Sequence, residues 1–374
     1  MRLWKLLIFF LLLYVLACSK SSPTDSKEEP INNSDEYGEN IVVSTPKPFE
    51  LFNIAISLTD YGVQNNNYVN QSSQYYKDVQ SFFSSNKSHA FVSLINEFGK
   101  QDGGSEDDII ANYNNIKKAS LYFQIQEDSL TVDENLFNFV PDSMVYIIQQ
   151  ILLNANLFIK ESGFFQFYQA HLDTYQDIAD KFKAAVPSQT VWDWLETKFT
   201  SIQYQYYQIP LSPLTGGSHC TELDKVSLNS IYMIVSSPAK YLNNNVEEGN
   251  YTLFLFTEID HNYVNPISDI YLDEINSAFA DINKWNNASA YRSPYDTFNE
   301  YMTWAIFTLF AYDRYTEKAF QEINKATVEN MISNRKFLKF NEFNEELLKL
   351  YKNEESYTSI EELFTPILNW AKDQ

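Results

Sequence analysis

Apolar side chains recur every three to four residues along most of this chain, and that spacing most strongly constrains its fold. Such spacing predicts helices, because three to four residues make one helical turn. Nine Gly and twelve Pro among 374 residues leave few places for flexible linkers, so we expect one large lobe or two fused lobes. Helices are predicted over Ser72–Ser85, Ser88–Phe98, Asp107–Phe123, Pro141–Ile159, Phe165–Ala184, Val191–Gln208 and residues 266–282, 294–311, 315–333, 339–352 and 359–372.

Two short segments have the composition of β-strands. Leu228–Ser236 and Tyr251–Phe256 are rich in β-branched and aromatic residues, and turn-forming residues follow the first and precede the second. The sequence therefore predicts an α+β fold that is predominantly helical, with a small sheet. Before the last helix, Ser359 with Glu362 three residues later predicts a capping box.

The charge balance excludes one class of partner. The formal net charge is −22, and no local run of basic residues reverses it, so binding to nucleic acid through its phosphates is excluded. Aromatic residues make up 16% of the chain, which fits a Tyr-rich core or a surface that binds sugars or peptides.

The N-terminus has the features of a secretory signal. Arg2 and Lys5 precede an apolar run, Leu6–Ala17, that is short for a membrane span. The run ends in Val15-Leu16-Ala17-Cys18, which resembles a bacterial lipobox, although an ordinary signal peptide with a chance cysteine remains an alternative. We predict a signal peptide at residues 1–17 and a lipidated Cys18 that anchors the protein to the outer membrane, on its periplasmic or its surface-exposed face.

Four segments follow from this interpretation. After the signal peptide, polar residues 18–46 form a flexible tether, residues 47–210 a helical lobe, and residues 211–374 a small sheet with further helices. With Cys18 lipidated, Cys220 is the only other cysteine, so the mature domain has no internal disulfide.

A candidate metal-binding motif follows the second predicted strand. In zinc peptidases two His residues four apart on one helix bind the metal, and a Glu after the first His acts as general base. Here Glu258 and His261 match the Glu and the second His, and Thr257 stands in place of the first. The alternative is a surface pair on a helix, since Glu258 and His261 are three residues apart.

The segment continues into Asn265-Pro266, and as a whole it resembles the His-Glu-x-x-His-x-x-x-Asn-Pro block of the domain of unknown function 4932 family. That family consists of bacterial secreted and lipid-anchored proteins similar to gluzincin metallopeptidases. Phe298–Ala305 is similar to the family's downstream helix, which implies that Glu300 is a metal ligand. Phe49–Leu58 and the aromatic residues up to Phe91 are similar to the family's N-terminal helices. The resemblance implies a zincin-like domain.

Two departures from the family pattern affect this site. The first zinc-binding His is Thr257, and an Arg expected four residues after Glu300 is Trp304. Three outcomes are open for the missing ligand: Glu258 changes from base to ligand, His219 folds over the site, or Thr257 contributes its hydroxyl. A fourth is a degenerate site kept as a scaffold.

The leading interpretation is a cell-envelope lipoprotein with a metallopeptidase-like domain that is degenerate or altered at the metal site. It would act on or bind a peptide or protein, either as a zinc hydrolase or as an inactive homologue. The alternative is a surface-anchored glycan- or peptide-binding lipoprotein with no enzymatic activity.

Of the other histidines, His89 is predicted to start a helix and His171 to be structural, and Cys220 is predicted to be buried.

Overall fold

Helices account for most of the chain in the computed structural model, which describes residues 31–34, 37–101, 106–138, 142–217, 219–224, 230–353 and 357–374. Cys18 and the predicted signal peptide lie outside these residues. The described helices are α1 (Lys47–Leu58), α2 (Asp60–Gln64), α3 (Gln74–Phe82), α4 (Ala90–Lys100), α5 (Glu106–Ser120), α6 (Asp142–Ser162), α7 (Phe164–Ala170), α8 (Leu172–Ala185), α9 (Ser188–Lys198), α10 (Asn245–Ile270), α11 (Leu272–Ala278), α12 (Ile282–Trp285), α13 (Pro294–Arg314), α14 (Glu317–Glu329), α15 (Phe340–Tyr351) and α16 (Phe364–Lys372).

Two small sheets accompany the helices. A hairpin pairs β2 with β3, and a four-stranded sheet has the order β1-β4-β6-β5. In that sheet β4 runs parallel to both neighbours, whereas β5 is an edge strand antiparallel to β6. The α+β, mostly helical class predicted from the sequence is confirmed. The strands are β1 (Ile41–Ser44), β2 (Phe123–Gln126), β3 (Ser129–Val132), β4 (Tyr206–Pro210), β5 (Cys220–Leu223) and β6 (Ser230–Ile234).

The two strand predictions had opposite outcomes. Leu228–Ser236 contains β6, as predicted, but Tyr251–Phe256 lies inside α10. The strand prediction there was wrong because a short apolar run does not distinguish a strand from a buried helical segment. The start of α10 is fixed by Asn244, whose side chain accepts hydrogen bonds from the backbone N–H groups of Val246 and Glu247.

Five of the six described strands lie where the sequence predicted none, and two of these, β4 and β1, also change its predicted boundaries. The helix predicted over Val191–Gln208 ends at Lys198, and the chain then enters the sheet as β4. β1 falls within residues 18–46, the predicted tether, so the ordered domain begins before residue 47. Both strands are held by long-range pairing with each other, which local patterns do not reveal.

Two buried apolar clusters form the core. One is built mainly from α1 to α7 and runs from Leu51 to Tyr175, with Leu214 added. The other contains the sheet, α10, α13 and the C-terminal helices, from Ala179 onward, together with Ile41 and Val43. The boundary between these clusters therefore lies within α8, whereas the sequence placed the lobe boundary at residue 210. No helix in the described part of the chain has both the length and the apolar character needed to cross a bilayer.

Helices α10 and α13 form the centre of the second cluster. The ring of Phe256 on α10 lies 5.5 Å from that of Phe307 and 5.1 Å from that of Phe310, both on α13. At the other end of the contact, the Ser268 hydroxyl donates a 2.5 Å hydrogen bond to the Asn299 side-chain oxygen. These contacts fix the relative position of the two helices that carry the predicted metal ligands.

Candidate functional site

The imidazole of His261 on α10 meets the carboxylate of Glu300 on α13. The distance from His261 Nε2 to Glu300 Oε1 is 3.6 Å, and Glu300 is only 5% exposed. Burial lowers the pKa of His261, while the negative charge of Glu300 opposes that shift. The two residues that the sequence analysis proposed as metal ligands are therefore neighbours.

Arg335 binds the other oxygen of the same carboxylate. Its Nη2 donates a hydrogen bond to Glu300 Oε2, and its guanidinium lies 4.8 Å from the ring of Trp304 and 5.3 Å from that of Tyr291. The family pattern predicts an arginine at position 304, whereas the arginine at this site is Arg335, which no motif indicated. The Trp304 ring instead packs against an arginine that comes from a different segment of the chain.

Glu258 lies on α10 one turn before His261. Burial, followed by the charge of Glu300, raises the pKa of Glu258 to about 8. A carboxyl group with that pKa is mostly protonated at pH 7, so it donates a hydrogen bond more readily than it accepts a proton.

Thr257 and His219 were the predicted accessory ligands. The Thr257 hydroxyl donates a 3.0 Å hydrogen bond to the backbone oxygen of Leu253. His219 Nε2 lies 3.2 Å from the Ser236 hydroxyl, and burial lowers the pKa of His219 to about 4. The contacts found for these two described side chains are with their own neighbours, and they include neither His261 nor Glu300.

Asp260 is a buried acid that the sequence analysis did not identify. It is fully buried, and neither of its carboxylate oxygens has a hydrogen-bond partner. Its pKa is raised well above the ordinary value by burial and then by the charges of Glu300 and Glu258. A sequence signal for this residue was available, because Asp260 lies on a helix face that is otherwise formed by the apolar residues Phe256, Val264 and Ile267.

Further unpaired polar atoms lie beside these residues. Asn265 Oδ1 and Arg335 Nε are both buried, and neither has a hydrogen-bond partner among the described residues. Buried polar groups without partners are rare in folded proteins and mark sites where water or another polar group completes the hydrogen bonding. The surroundings of the Glu300 carboxylate are therefore polar and only partly satisfied by the protein.

A zinc ion does not fit this set of residues. Catalytic zinc needs three protein ligands with an open fourth position. Across the part of the chain that the structure describes, no group of three His, Cys, Asp or Glu side chains is arranged to hold a metal ion. The Thr257 hydroxyl is bonded to its own helix, and one oxygen of Glu300 is bonded to Arg335. The arrangement is a buried histidine–carboxylate–guanidinium contact.

The exposed aromatic side chains among the described residues are distributed over several elements. Tyr146, Tyr206 and Tyr241 lie on α6, on β4 and in the segment before α10, respectively. Phe254 and Tyr291 are also exposed, but Phe254 lies one turn before Glu258 on α10 and Tyr291 packs on Arg335. Of these exposed rings, Phe254 and Tyr291 therefore lie beside the site.

A surface groove of about 550 Å³ lies elsewhere on the molecule, on α6 and the β2–β3 hairpin. Leu153, Leu157, Lys160, Phe165 and Asp128 contribute to its walls. None of the predicted site residues lines this groove.

Comparisons with known proteins add no relative. No family model matches the chain, and no similar curated protein or solved structure was found. The resemblance to the domain of unknown function 4932 family therefore stays a prediction from the motifs.

Proposed function

We propose that this protein is a cell-envelope lipoprotein with a metallopeptidase-like domain whose metal site is degenerate. The observation that carries the proposal is the 3.6 Å approach of His261 and Glu300, which come from two different helices. These are the two positions that a metallopeptidase-like motif assigns to ligands, and Glu258 follows the vacant first ligand position. The fold class and the lipid anchor predicted at Cys18 are compatible with this proposal.

The degenerate character is supported by the chemistry of the contacts. The Thr257 hydroxyl donates its hydrogen bond to the backbone of α10. Glu258, with a pKa raised to about 8, is mostly protonated at pH 7. A site with these properties lacks the first ligand of a zinc peptidase. We therefore propose that the domain binds a peptide or protein segment without hydrolysing it.

The edge of the four-stranded sheet supports a peptide as the ligand. β5 is an edge strand, and the Asn262 side chain on α10 donates a 2.9 Å hydrogen bond to the Thr221 hydroxyl on β5. An extended peptide can add to such an edge as a further strand. β6, which lies in the predicted strand Leu228–Ser236, has β4 and β5 on its two sides and therefore offers no free edge.

The proposal is tested by restoring the missing histidine. Position 257 lies one turn before His261 on the same helix face, so Thr257→His places a second imidazole beside the first. We expect zinc affinity, measured by calorimetric titration, to rise at least about tenfold over that of the wild type. The same substitution combined with His261→Ala is the control and should lose the gain. An affinity equal to that of wild type would contradict a metallopeptidase-like origin of the site.

A further inference from the structure

The backbone around Arg335 is unusual. Among the described non-glycine residues, Glu127, Tyr291 and Lys336 have a positive φ, and the last two have values of 56° and 67°. Lys336 follows Arg335 directly, and the π-helical turn Asn330–Asn334 directly precedes it. Left-handed residues and π-helical turns persist only where the surrounding structure holds them, and they cluster at functional sites.

These irregular segments pair with each other next to the carboxylate. The backbone N–H of Asn287 donates a 3.0 Å hydrogen bond to the Lys336 oxygen, and Asn286 forms an isolated β-bridge with Phe337. The pairing brings the loop before α13 against the loop before α15. Tyr291 of the first loop thereby packs on Arg335 of the second.

The guanidinium of Arg335 lies close to three aromatic rings. Its central carbon lies 4.8 Å from the Trp304 ring, 5.3 Å from the Tyr291 ring and 5.7 Å from the Phe337 ring. Arginine stacks on aromatic faces while donating hydrogen bonds in its own plane, which lysine does not reproduce. The side chain is 29% exposed, so its charge is partly shielded from water.

We infer that Arg335 is the resident cation of this site and takes the place of a metal ion at Glu300. The inference rests on the proposed function, because it assumes that Glu300 occupies a former ligand position. One carboxylate oxygen is bound by the guanidinium, and the other faces His261. A divalent cation at Glu300 would lie within a few ångströms of the guanidinium and be repelled by it. Arg335 is thus a positioning residue that compensates the charge of Glu300 and excludes metal.

The first test compares zinc affinity with and without this charge. In the Thr257→His background, adding Arg335→Met should strengthen zinc binding by at least a further ~10-fold, on the scale by which residues around a metal site alter affinity. Arg335→Lys, which keeps a positive charge, should stay close to Thr257→His alone. Equal zinc affinity in Thr257→His and Thr257→His/Arg335→Met would overturn the inference.

A second arginine–glutamate pair, which joins α13 to α10, gives the matched control. Arg314 on α13 contacts Glu248 on α10, with 3.1 Å between Arg314 Nε and Glu248 Oε1, and Glu248 is also buried. Glu248 precedes His261 by thirteen residues, about 20 Å along the helix. Arg314→Met in the Thr257→His background should therefore leave zinc affinity unchanged. A gain equal to that of Arg335→Met would mean that any loosened ion pair admits zinc, which contradicts the inference.

The second test needs no metal and uses melting temperatures in the presence of a chelator. Arg335→Met should lower the melting temperature by ~5–10 °C, because Glu300 stays buried without its counter-charge. Glu300→Gln added to Arg335→Met should recover most of that loss. If the double variant loses as much as Arg335→Met and Glu300→Gln lose together when measured singly, Arg335 acts only through packing and the inference is wrong.

The two tests also separate this inference from the proposed function. If Thr257→His binds zinc no more tightly than the wild type or than Thr257→His/His261→Ala, the proposed metallopeptidase-like origin fails. The melting experiment then decides alone whether Arg335 compensates Glu300. If Thr257→His binds zinc more tightly and Arg335→Met adds nothing, the proposed function stands and the inference about Arg335 fails.

Discussion

The Tyr204 hydroxyl donates a 2.9 Å hydrogen bond to the backbone oxygen of Asn262, and that oxygen is the one that Pro266 leaves without a helical partner. Proline has no N–H group, so the carbonyl four residues before it loses its usual bond. The helix α10 nevertheless continues past Pro266 to Ile270. A side chain from the segment between α9 and β4 thus completes the helix one residue after His261.

We therefore expect Tyr204→Phe to destabilise the domain. The substitution leaves the Asn262 carbonyl without its partner, at a cost of about 1–3 kcal/mol in the free energy of unfolding. Tyr206→Phe, at an exposed position on β4, is the control and should change it by less than about 0.5 kcal/mol. Chemical denaturation measures both values. A loss from Tyr204→Phe no larger than that of the control would contradict this role.

Pro266→Ala should make Tyr204 dispensable. Alanine restores the backbone N–H that binds the Asn262 carbonyl, so Tyr204→Phe should cost less in the Pro266→Ala background than in the wild type. The four proteins of this double-mutant cycle are compared by chemical denaturation. An equal cost of Tyr204→Phe in both backgrounds would show that the hydroxyl does not act through the proline gap.

A buried carboxyl group outside the site, that of Glu50, predicts that the stability of the fold depends on pH. Glu50 on α1 is fully buried, and the Tyr75 hydroxyl donates a 2.6 Å hydrogen bond to its Oε1. Burial raises the pKa of Glu50 to about 8, against the hydrogen bond from Tyr75 and the charge of Lys117. The folded state therefore holds this proton more tightly than the unfolded state. The contribution of Glu50 to stability is full below about pH 4.5 and is lost as the pH rises toward 8.

Glu50→Gln should remove this pH dependence. Glutamine is neutral at every pH and keeps an oxygen for the Tyr75 hydroxyl, so the slope of the unfolding free energy between pH 4.5 and 8 should flatten. One pKa unit corresponds to about 1.4 kcal/mol, so the loss in wild type should exceed ~1 kcal/mol. Glu322→Gln, at an exposed position on α14, should keep the wild-type slope. Parallel slopes in wild type and Glu50→Gln would refute the prediction.

Lys117 predicts the opposite slope at higher pH. It is buried on α5, its Nζ lies 4.1 Å from the centre of the Tyr68 ring, and burial lowers its pKa to about 8. The contribution of this pKa shift to stability is full above about pH 10.5 and is lost as the pH falls through 8. Lys117→Met should therefore flatten the rise of stability between pH 8 and 10.5. If stability rises as steeply in Lys117→Met as in the wild type, groups other than Lys117 cause the rise.

Membrane attachment is predicted to depend on one sulfur atom. Cys18 ends the apolar run Leu6–Ala17, at the position that a bacterial lipobox gives to the acylated cysteine. Cys18→Ser should move the protein from the membrane fraction to the soluble fraction of cells, because the lipid is lost. Cys220→Ser is the matched control and should stay with the membranes. A Cys18→Ser protein that still fractionates with membranes would exclude a lipid anchor.

The sequence by itself determined the helical character of the chain, since helical spacing and helix ends are local properties. The helix predicted over residues 294–311 appears as α13. The Glu362 carboxylate accepts a hydrogen bond from the backbone N–H of Ser359, which is half of the predicted capping box, but α16 begins only at Phe364 and no side chain caps its first turn. His89 starts α4 as predicted, with its Nδ1 accepting from the Phe91 N–H. Each of these interactions joins residues within one helical turn.

Only the tertiary structure decided which side chains complete the site. Arg335 lies 35 residues from Glu300 in the chain, and no spacing rule links the two. The raised pKa of Glu258 depends on burial and on the charge of Glu300. The role of Tyr204 depends on its hydrogen bond to Asn262, which lies 58 residues away in the chain. The segment Tyr251–Phe256 is apolar enough for a strand, and packing against α13 makes it part of a buried helix. Burial, ion pairing and strand pairing arise between distant segments, and local residue patterns do not encode them.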